Sequence, residues 1–261
     1  MTETSFFTDG EAYERLMGRW SRAAGEQFIE WLSMPQGLRW VDVGCGTGAF
    51  TELVLERCNP KQISAIDPSE DQIAYAISRP AAARAAYRIG DAQSLPYADR
   101  EFDVATMALV ITFVPDPVKG VTEMARVTKP GGTVATYMWD LLGGGFVQQP
   151  LREALEGMNV AVQDLRGYAN SPLDALKGFF ETAGLDQIST RTIEIEVSYA
   201  NFDDYWSSQT GLINTYVQPI RKMAPPDVER LKAYLREHLP TKNGRIAYPA
   251  WANAIKGRVP A

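Results

Sequence analysis

The chain has 261 residues, 45% hydrophobic and 22% charged, which excludes a mainly disordered protein and supports a substantial buried core. Its net charge of -6 disfavours a general polyanion binder, so no nucleic-acid partner is expected. Two cysteines, Cys45 and Cys58, cannot make a disulfide framework, no run approaches about 18 apolar residues, and the first residues lack a leader pattern, so a cytoplasmic protein with no membrane span is expected.

Taken from the start, Tyr13, Leu16, Met17 and Trp20 have the spacing of an amphipathic helix. Short runs rich in β-branched or aromatic residues then predict strands at Leu38 to Val43, Gln62 to Ile66, Ala85 to Ile89, Phe102 to Met107 and Thr133 to Trp139. Between them, Phe50 to Arg57, Glu70 to Ser78 and Val118 to Val127 fit helices, with starts marked by Pro68-Ser69-Glu70 and Pro115-Asp116-Pro117. This alternation predicts an α/β fold with a parallel sheet and helices on both faces. Lys129-Pro130-Gly131-Gly132 reads as a tight turn before the fifth strand.

The second half is less regular. Leu141 to Tyr168 starts with three glycines, continues into a helix at Pro150 to Met158, and reads as an insertion over the sheet edge. A helix follows at Leu173 to Thr182, and Ile193, Ile195 and Val197 alternate within a half-buried strand, Ile188 to Tyr199, of the kind found at an antiparallel edge. Helices at Phe202 to Ser208, Leu212 to Lys222 and Asp227 to Leu239 precede a last strand within 245 to 259. Residues 221 to 261 carry a net charge of +6 against -12 for the rest, which suits a solvated helix face and also an anionic substrate.

The strongest local feature is Val41-Asp42-Val43-Gly44-Cys45-Gly46-Thr47-Gly48-Ala49-Phe50, a strand that enters a helix through a glycine loop. Glycine lets the backbone approach a ligand, and the helix start supplies N-H donors. Gly44, Gly46 and Ala49 satisfy the dinucleotide pattern, and Asp67 stands where an acidic residue would hold ribose hydroxyls, so a nicotinamide-dependent oxidoreductase is one reading. Asp42 argues against it, because a carboxylate on a buried strand calls for donors or a cationic group and would repel a pyrophosphate. Asp91, in Gly90-Asp91-Ala92, could accept a hydrogen bond from an exocyclic amine.

The set VDVGCGTG at 41 to 48, AIDPSEDQI at 65 to 73, GDAQSLPY at 90 to 97, FDVATMALVITFVPDP at 102 to 117 and EMARVTKPGG at 123 to 132 resembles the class I S-adenosylmethionine-dependent methyltransferases. Within them it is similar to the small-molecule group that includes the ubiquinone and menaquinone methyltransferases. The resemblance implies a Rossmann-like, seven-stranded sheet of order 3-2-1-4-5-7-6 with strand 7 antiparallel. It implies S-adenosylmethionine as cofactor and S-adenosylhomocysteine as product. It places Asp42, Gly44, Cys45, Gly46 and Gly48 around the methionine part, Asp67 on the ribose hydroxyls, and Asp91 at the adenine amino group. Pro68 and Ala92 would flank the ring, and Met107 to Leu109 would line the methionine side.

Methyl transfer from a sulfonium needs chiefly alignment, and a base only where the acceptor must lose a proton. Tyr13, in the segment that often folds over the cofactor in this group, is one candidate catalytic residue. Asp140, after the fifth strand, could act as base or equally as a turn or helix cap, and His238 as base or as a partner of helix-end carbonyls. No residue cluster suggests a metal. The aromatic residues Tyr199, Phe202, Tyr205, Trp206 and Tyr216 fit either an acceptor pocket or the core. The expectation is therefore one methyltransferase domain over 1-261, its cofactor-binding half at about 36-140. Lid and acceptor elements fall at about 141-183 and 201-244, and closing strands at about 185-199 and 245-259. Its acceptor would be an O, N or C atom of a small molecule, and a non-catalytic cofactor-binding protein is the other alternative.

Overall fold

The computed structural model describes residues 17–211 and 216–261. Its strands are β1 (Arg39–Val43), β2 (Gln62–Asp67), β3 (Ala86–Ile89), β4 (Phe102–Ala108), β5 (Thr128–Trp139), β6 (Asp186–Tyr199) and β7 (Arg245–Arg258). They form one sheet of order β3-β2-β1-β4-β5-β7-β6, extended by the two-residue pairing of Thr241–Lys242 with the start of β7. β1 to β5 run parallel, while β7 pairs antiparallel with both β5 and β6. This is the expected seven-stranded order, antiparallel strand included.

The helices are α1 (Arg19–Leu32), α2 (Ala49–Arg57), α3 (Glu70–Ser78), α4 (Pro117–Val127), α5 (Gln149–Gly157), α6 (Leu173–Thr182), α7 (Phe202–Thr210), α8 (Val217–Lys222) and α9 (Pro225–His238). Right-handed crossovers that move outward from β1 in one direction and from β4 in the other put their helices on opposite faces. Accordingly α1 packs on α2, and α4 packs on α6. Local starts follow the sequence: Ser69 Oγ accepts the Gln72 N-H at 3.3 Å, and Asp116 Oδ1 accepts that of Lys119 at 3.0 Å with Pro117 in the first turn.

The central strands are buried on both faces, as the apolar runs of β1, β2 and β4 require. In β6, Ile193, Ile195, Val197 and Tyr199 are buried while Glu194 and Glu196 are exposed, which is the predicted alternation. One expectation changes and another is described only in part. The helix expected at Leu212 to Lys222 is described only at Val217–Lys222, because 212–215 lie outside the described residues. The turn expected at 129 to 132 is an excursion within β5, whose register with β4 steps from Phe102↔Thr128 to Val104↔Thr133. The end of the chain explains it: Gly131, at φ 72°, donates to Val259 at 2.8 Å, and Val259 donates back to Gly132 at 3.1 Å.

One feature extends beyond the expected layout. The last β5–β7 pair is Trp139↔Ala252, yet β7 continues against β6 to Tyr199↔Ile246. At about 3.4 Å per residue this β6–β7 overhang projects roughly 20 Å past the end of β5. The segment after β5 is tied to it: Asp140 donates to the Trp251 carbonyl at 3.1 Å, Trp251 to the Gly145 carbonyl at 2.9 Å, and the Tyr248 hydroxyl to the Val147 carbonyl at 2.8 Å.

Candidate functional site

A cavity of about 540 Å³ opens at the carboxyl ends of β1 to β5, where the strand order reverses between β1 and β4. Each of these strands contributes the residues that follow it: Gly44 to Thr47 after β1, Asp67 to Ser69 from β2, Gly90 to Ala92 after β3, Ala108 to Val110 from β4 and Tyr137 to Trp139 from β5. The start of α1 and the segment after β5 close it, through Met17 to Arg19 and through Leu141, Phe146, Gln148 and Leu165.

The glycine loop folds on itself. Gly44 and Cys45 both donate to the Ile66 carbonyl, at 2.7 and 3.0 Å, Gly46 donates to Asp67 Oδ2 at 2.9 Å, and Gly48 to the Cys45 carbonyl at 2.9 Å. Gly44 has φ 74°, and a Cβ there would lie 2.5 Å from Val110 Cγ1. Gly46, at φ 51°, faces open space, its nearest neighbour being Gln72 Oε1 at 3.8 Å. Gly46 is thus the point where a ligand can touch bare backbone, whereas Gly44 and Gly48 serve the packing beneath it. Leu109 also adopts a positive φ of 60°, held by its N-H donation to the Tyr137 carbonyl at 2.8 Å. Such strain in a bulky residue is tolerated where the surroundings fix it, commonly at sites.

Acidic side chains gather at this end. Asp67 accepts from Gly46 and Ser69, each at 2.9 Å; burial raises its pKa and those two bonds oppose the rise. Asp42 is fully buried, with Oδ2 accepting from Thr51 Oγ1 at 2.6 Å and Oδ1 without a partner among the described residues. Burial pushes its carboxyl up to about 7. Asp91 is exposed and accepts the Gln93 backbone N-H at 2.8 Å. Burial, with the Asp42 and Asp67 charges adding to it, raises the Cys45 thiol far above its ordinary value, so a nucleophilic role for it has no support.

Of the residues singled out in the sequence, Gly44, Cys45, Gly46, Asp67, Pro68, Asp91, Ala92 and Leu109 line the cavity together. Asp42, Gly48 and Met107 do not: Asp42 and Met107 are fully buried beneath it, and a Cβ on Gly48 would lie 2.9 Å from the Tyr87 hydroxyl. Asp140 also lies outside the lining. Its Oδ1 accepts from the Gly143 N-H at 2.9 Å and its Oδ2 from Trp251 Nε1 at 3.2 Å, a turn-capping arrangement. His238 is exposed, with Nδ1 2.8 Å from the Tyr234 carbonyl and its ring stacked on Tyr234, so it belongs to the end of α9. Tyr13 lies outside the described residues.

Tyr199, Tyr205 and Tyr216 are core, and among the described residues none from 201 to 244 lines the cavity. Sequence reasoning missed Phe50, Phe113, Phe146, Gln148 and Leu165, all of which do. Phe50 had a signal, its place in the first turn of the helix after the glycine loop. Leu165 had none, and Phe146 and Gln148 had none because their position depends on how the segment after β5 docks on β7. Among the described residues no group of His, Cys, Asp and Glu could hold a metal ion, and no helix is long and apolar enough to cross a membrane.

Residues 41–136 match the methyltransferase domain family. The chain is 33% identical over 114 residues to the malonyl-acyl-carrier-protein O-methyltransferase of Pectobacterium atrosepticum, covering 44% of each chain. It is 36% identical over 113 residues to the demethylmenaquinone methyltransferase of Desulfitobacterium hafniense, covering 41% of this chain and 45% of that one. These matches span about half the length of the curated relatives or less. Among solved structures, phosphoethanolamine N-methyltransferase 2 of Haemonchus contortus, in complex with S-adenosyl-L-methionine, is similar with a TM-score of 0.59. That likeness covers 100% of this chain and 58% of the other at 18% identity, and is one of fold alone.

Proposed function

We propose, from the premise that residues 41–136 form a class I, S-adenosylmethionine-dependent methyltransferase domain, that this chain transfers a methyl group from S-adenosylmethionine to an O, N or C atom of a small molecule. The observation that carries this reading over a nicotinamide-dependent one is the fate of the loop's N-H groups. Those of Gly44, Cys45, Gly46 and Gly48 all have acceptors within the protein, one of them the Asp67 carboxylate. A dinucleotide site aims such donors at a pyrophosphate. Here they are engaged, and the Gly46 donor already points at the Asp67 carboxylate, whose charge opposes a pyrophosphate at that place. A ligand with a net positive sulfonium suits the same surroundings.

The residues present fit that cofactor. Asp67 has carboxylate lone pairs for the two ribose hydroxyls, and Asp91, with Pro68 and Ala92 beside it, meets the adenine ring. The open face of Gly46 admits the methionine part, with Leu109 lining the same side and the Asp42 carboxyl lying beneath. When bound, S-adenosylmethionine supplies a methyl group on a sulfonium that leaves as a neutral thioether. The protein's part is then to align the acceptor with that methyl group and keep water out, and positioning can supply about 7 to 11 kcal/mol of the barrier. Phe50, Phe113, Tyr137 and Trp139 line the cavity, and aromatic faces attract a cation.

Among the described residues, Phe113, Tyr137, Trp139, Leu141, Phe146 and Gln148 line the cavity beyond the cofactor end and include no carboxylate or imidazole. The reaction proposed rests chiefly on alignment of the acceptor with the methyl group. Two unpaired, buried cysteines suit a reducing, cytoplasmic setting. The test is calorimetric titration with S-adenosylmethionine, S-adenosylhomocysteine and NAD in parallel. Micromolar binding of the first two without NAD supports the reading, and NAD binding alone replaces it with an oxidoreductase. Turnover on quinol, phenol, amine and carboxylate acceptors then separates an enzyme from a non-catalytic binder.

A further inference from the structure

Arg19 opens α1 and lines the cavity. Its guanidinium carbon lies 4.2 Å from the ring centroid of Trp20 and 4.9 Å from that of Tyr199. It is exposed, and among the described residues it has neither an ion pair nor a hydrogen bond. The other arginines of the cavity differ: Arg22 pairs with Glu56 at 2.6 Å and Arg79 pairs with Glu52. Cation–π attraction to two rings restrains the guanidinium without engaging its N-H donors in hydrogen bonds, which leaves those donors for a ligand. The rings are themselves fixed. Trp20 and Tyr199 are buried and meet edge to face at 5.8 Å, and the Tyr199 hydroxyl accepts from Gln209 Nε2 at 2.7 Å.

Its position separates it from the acidic end. Tyr199 closes β6, at the opposite edge of the sheet from β3, whereas Asp67 and Asp91 belong to the ends of β2 and β3. Five inter-strand spacings, roughly 24 Å, divide β2 from β6. Between the two ends the wall is apolar, formed by Tyr137, Trp139, Leu141 and Phe146. A cationic group at one end, an apolar middle and carboxylates at the other end describe a site for two different molecules, one of which carries negative charge.

We propose that Arg19 binds the anionic group of the methyl acceptor, which makes the acceptor a small molecule with an apolar or aromatic body and a carboxylate or phosphate. This rests on the methyl-transfer reading above. Arg19 acts as a specificity residue: its charge-assisted hydrogen bonds hold the acceptor's anion at the β6 side, so that the apolar body lies along Trp139 and Phe146 toward the methyl group. The remaining anion at hand is the carboxylate of the cofactor itself, and the experiment separates the two.

Wild-type protein, Arg19→Met and Arg19→Lys are each titrated by calorimetry first with S-adenosylhomocysteine. The loaded complexes are then titrated with benzoate, phenyl phosphate and the neutral control benzamide. The expected result is that wild type binds at least one anion more tightly than benzamide. Arg19→Met should bind that anion at least about tenfold more weakly, the loss expected of a charge-assisted hydrogen bond, and Arg19→Lys should recover part of it. Affinity for S-adenosylhomocysteine should stay within about twofold in all three, since a remote site leaves it alone. Anion binding that is absent in the loaded wild type, or equal in Arg19→Met, overturns the proposal while leaving the methyl-transfer reading standing. Loss of S-adenosylhomocysteine affinity in Arg19→Met assigns Arg19 to the cofactor and overturns it too. A wild type that does not bind S-adenosylhomocysteine overturns both.

Discussion

The Thr51 hydroxyl donates to Asp42 Oδ2 at 2.6 Å, and among the described residues it is the one group that reaches this fully buried carboxylate, Oδ1 having no partner there. Desolvation outweighs that bond and pushes the Asp42 pKa up to about 7. An unfolded aspartate titrates near 4, so between about pH 4 and 7 the folded chain keeps a proton that the unfolded chain has released. Stability then falls as pH rises through that window, by up to about 1.4 kcal/mol per pH unit, and stops falling above about 7 where both states are ionised. Asp67, also raised, adds a change of the same sign. In Asp42→Asn the Asp42 contribution vanishes while that of Asp67 stays. Urea midpoints at about pH 5, 6 and 8 should show the variant gaining on wild type up to neutrality and keeping a constant lead beyond it. Parallel pH courses for the two proteins refute the buried titration.

Glycines of one loop should fail in different ways. Gly44→Ala must place its Cβ 2.5 Å from Val110 Cγ1 at a φ of 74°, and should lose roughly 2 to 4 kcal/mol from overpacking and backbone strain together. Val110→Ala in the same chain removes both Cγ contacts and leaves the Cβ at 3.0 Å, so it should return most of the overpacking part and none of the strain. Gly46→Ala, at φ 51° with open space, should lose only about 1 to 2 kcal/mol and yet bind S-adenosylhomocysteine at least about tenfold more weakly, because its methyl group occupies the ligand's side. Denaturation and calorimetry on the three variants decide it. Equal stability losses at Gly44 and Gly46 would contradict the division of labour.

The contrast shows what a sequence reveals. Val41 to Gly48 announces a strand, a loop and a helix start, because positive φ and close approach restrict the residue types allowed. Asp67 and Asp91 are legible for a related reason: they close parallel strands, and the ends of such strands form the site. Phe146 and Gln148 are not legible, because their place depends on hydrogen bonds that tie residues 140 to 147 to the Trp251 backbone and the Tyr248 hydroxyl, about a hundred residues later. The excursion at Gly131 is hidden in the same way, since Val259 supplies its partner. For Arg19 the sequence offers both a place in a helical pattern and a partner for a carboxylate, and its contacts with Trp20 and Tyr199 locate it at the β6 side of the cavity.

Asp67 is the carboxylate whose replacement should most clearly affect the cofactor. Asp67→Ala removes the proposed ribose bonds and also the acceptor of the Gly46 and Ser69 N-H groups. Affinity for S-adenosylmethionine should fall by at least about tenfold, given about 1.5 to 3 kcal/mol per charged hydrogen bond. Asp67→Asn keeps one acceptor oxygen, so it should hold the loop better than Ala while still losing affinity. Calorimetry with S-adenosylmethionine reads the first effect and thermal denaturation without ligand the second. Unchanged affinity in Asp67→Ala would remove Asp67 from the ribose.

Asp140 gives the sharpest choice between catalysis and architecture. Its two oxygens accept two donors, the Gly143 N-H at 2.9 Å and Trp251 Nε1 at 3.2 Å, while its own N-H donates to the Trp251 carbonyl at 3.1 Å. The residue therefore joins the glycine segment after β5 to β7, and through that junction it sets where Phe146 and Gln148 stand in the cavity. An asparagine has one acceptor oxygen, so in Asp140→Asn one of the two donors must face an amide N-H. The loss should be about 1 to 3 kcal/mol of stability, the cost of leaving a polar group unsatisfied. Because Phe146 and Gln148 lie on the acceptor side, S-adenosylhomocysteine affinity should change by less than about threefold, as expected for separated sites. Urea denaturation and calorimetry on the same preparation test both halves. A variant as stable as wild type would show that the carboxylate is not needed for the junction and would return Asp140 to the list of candidate bases.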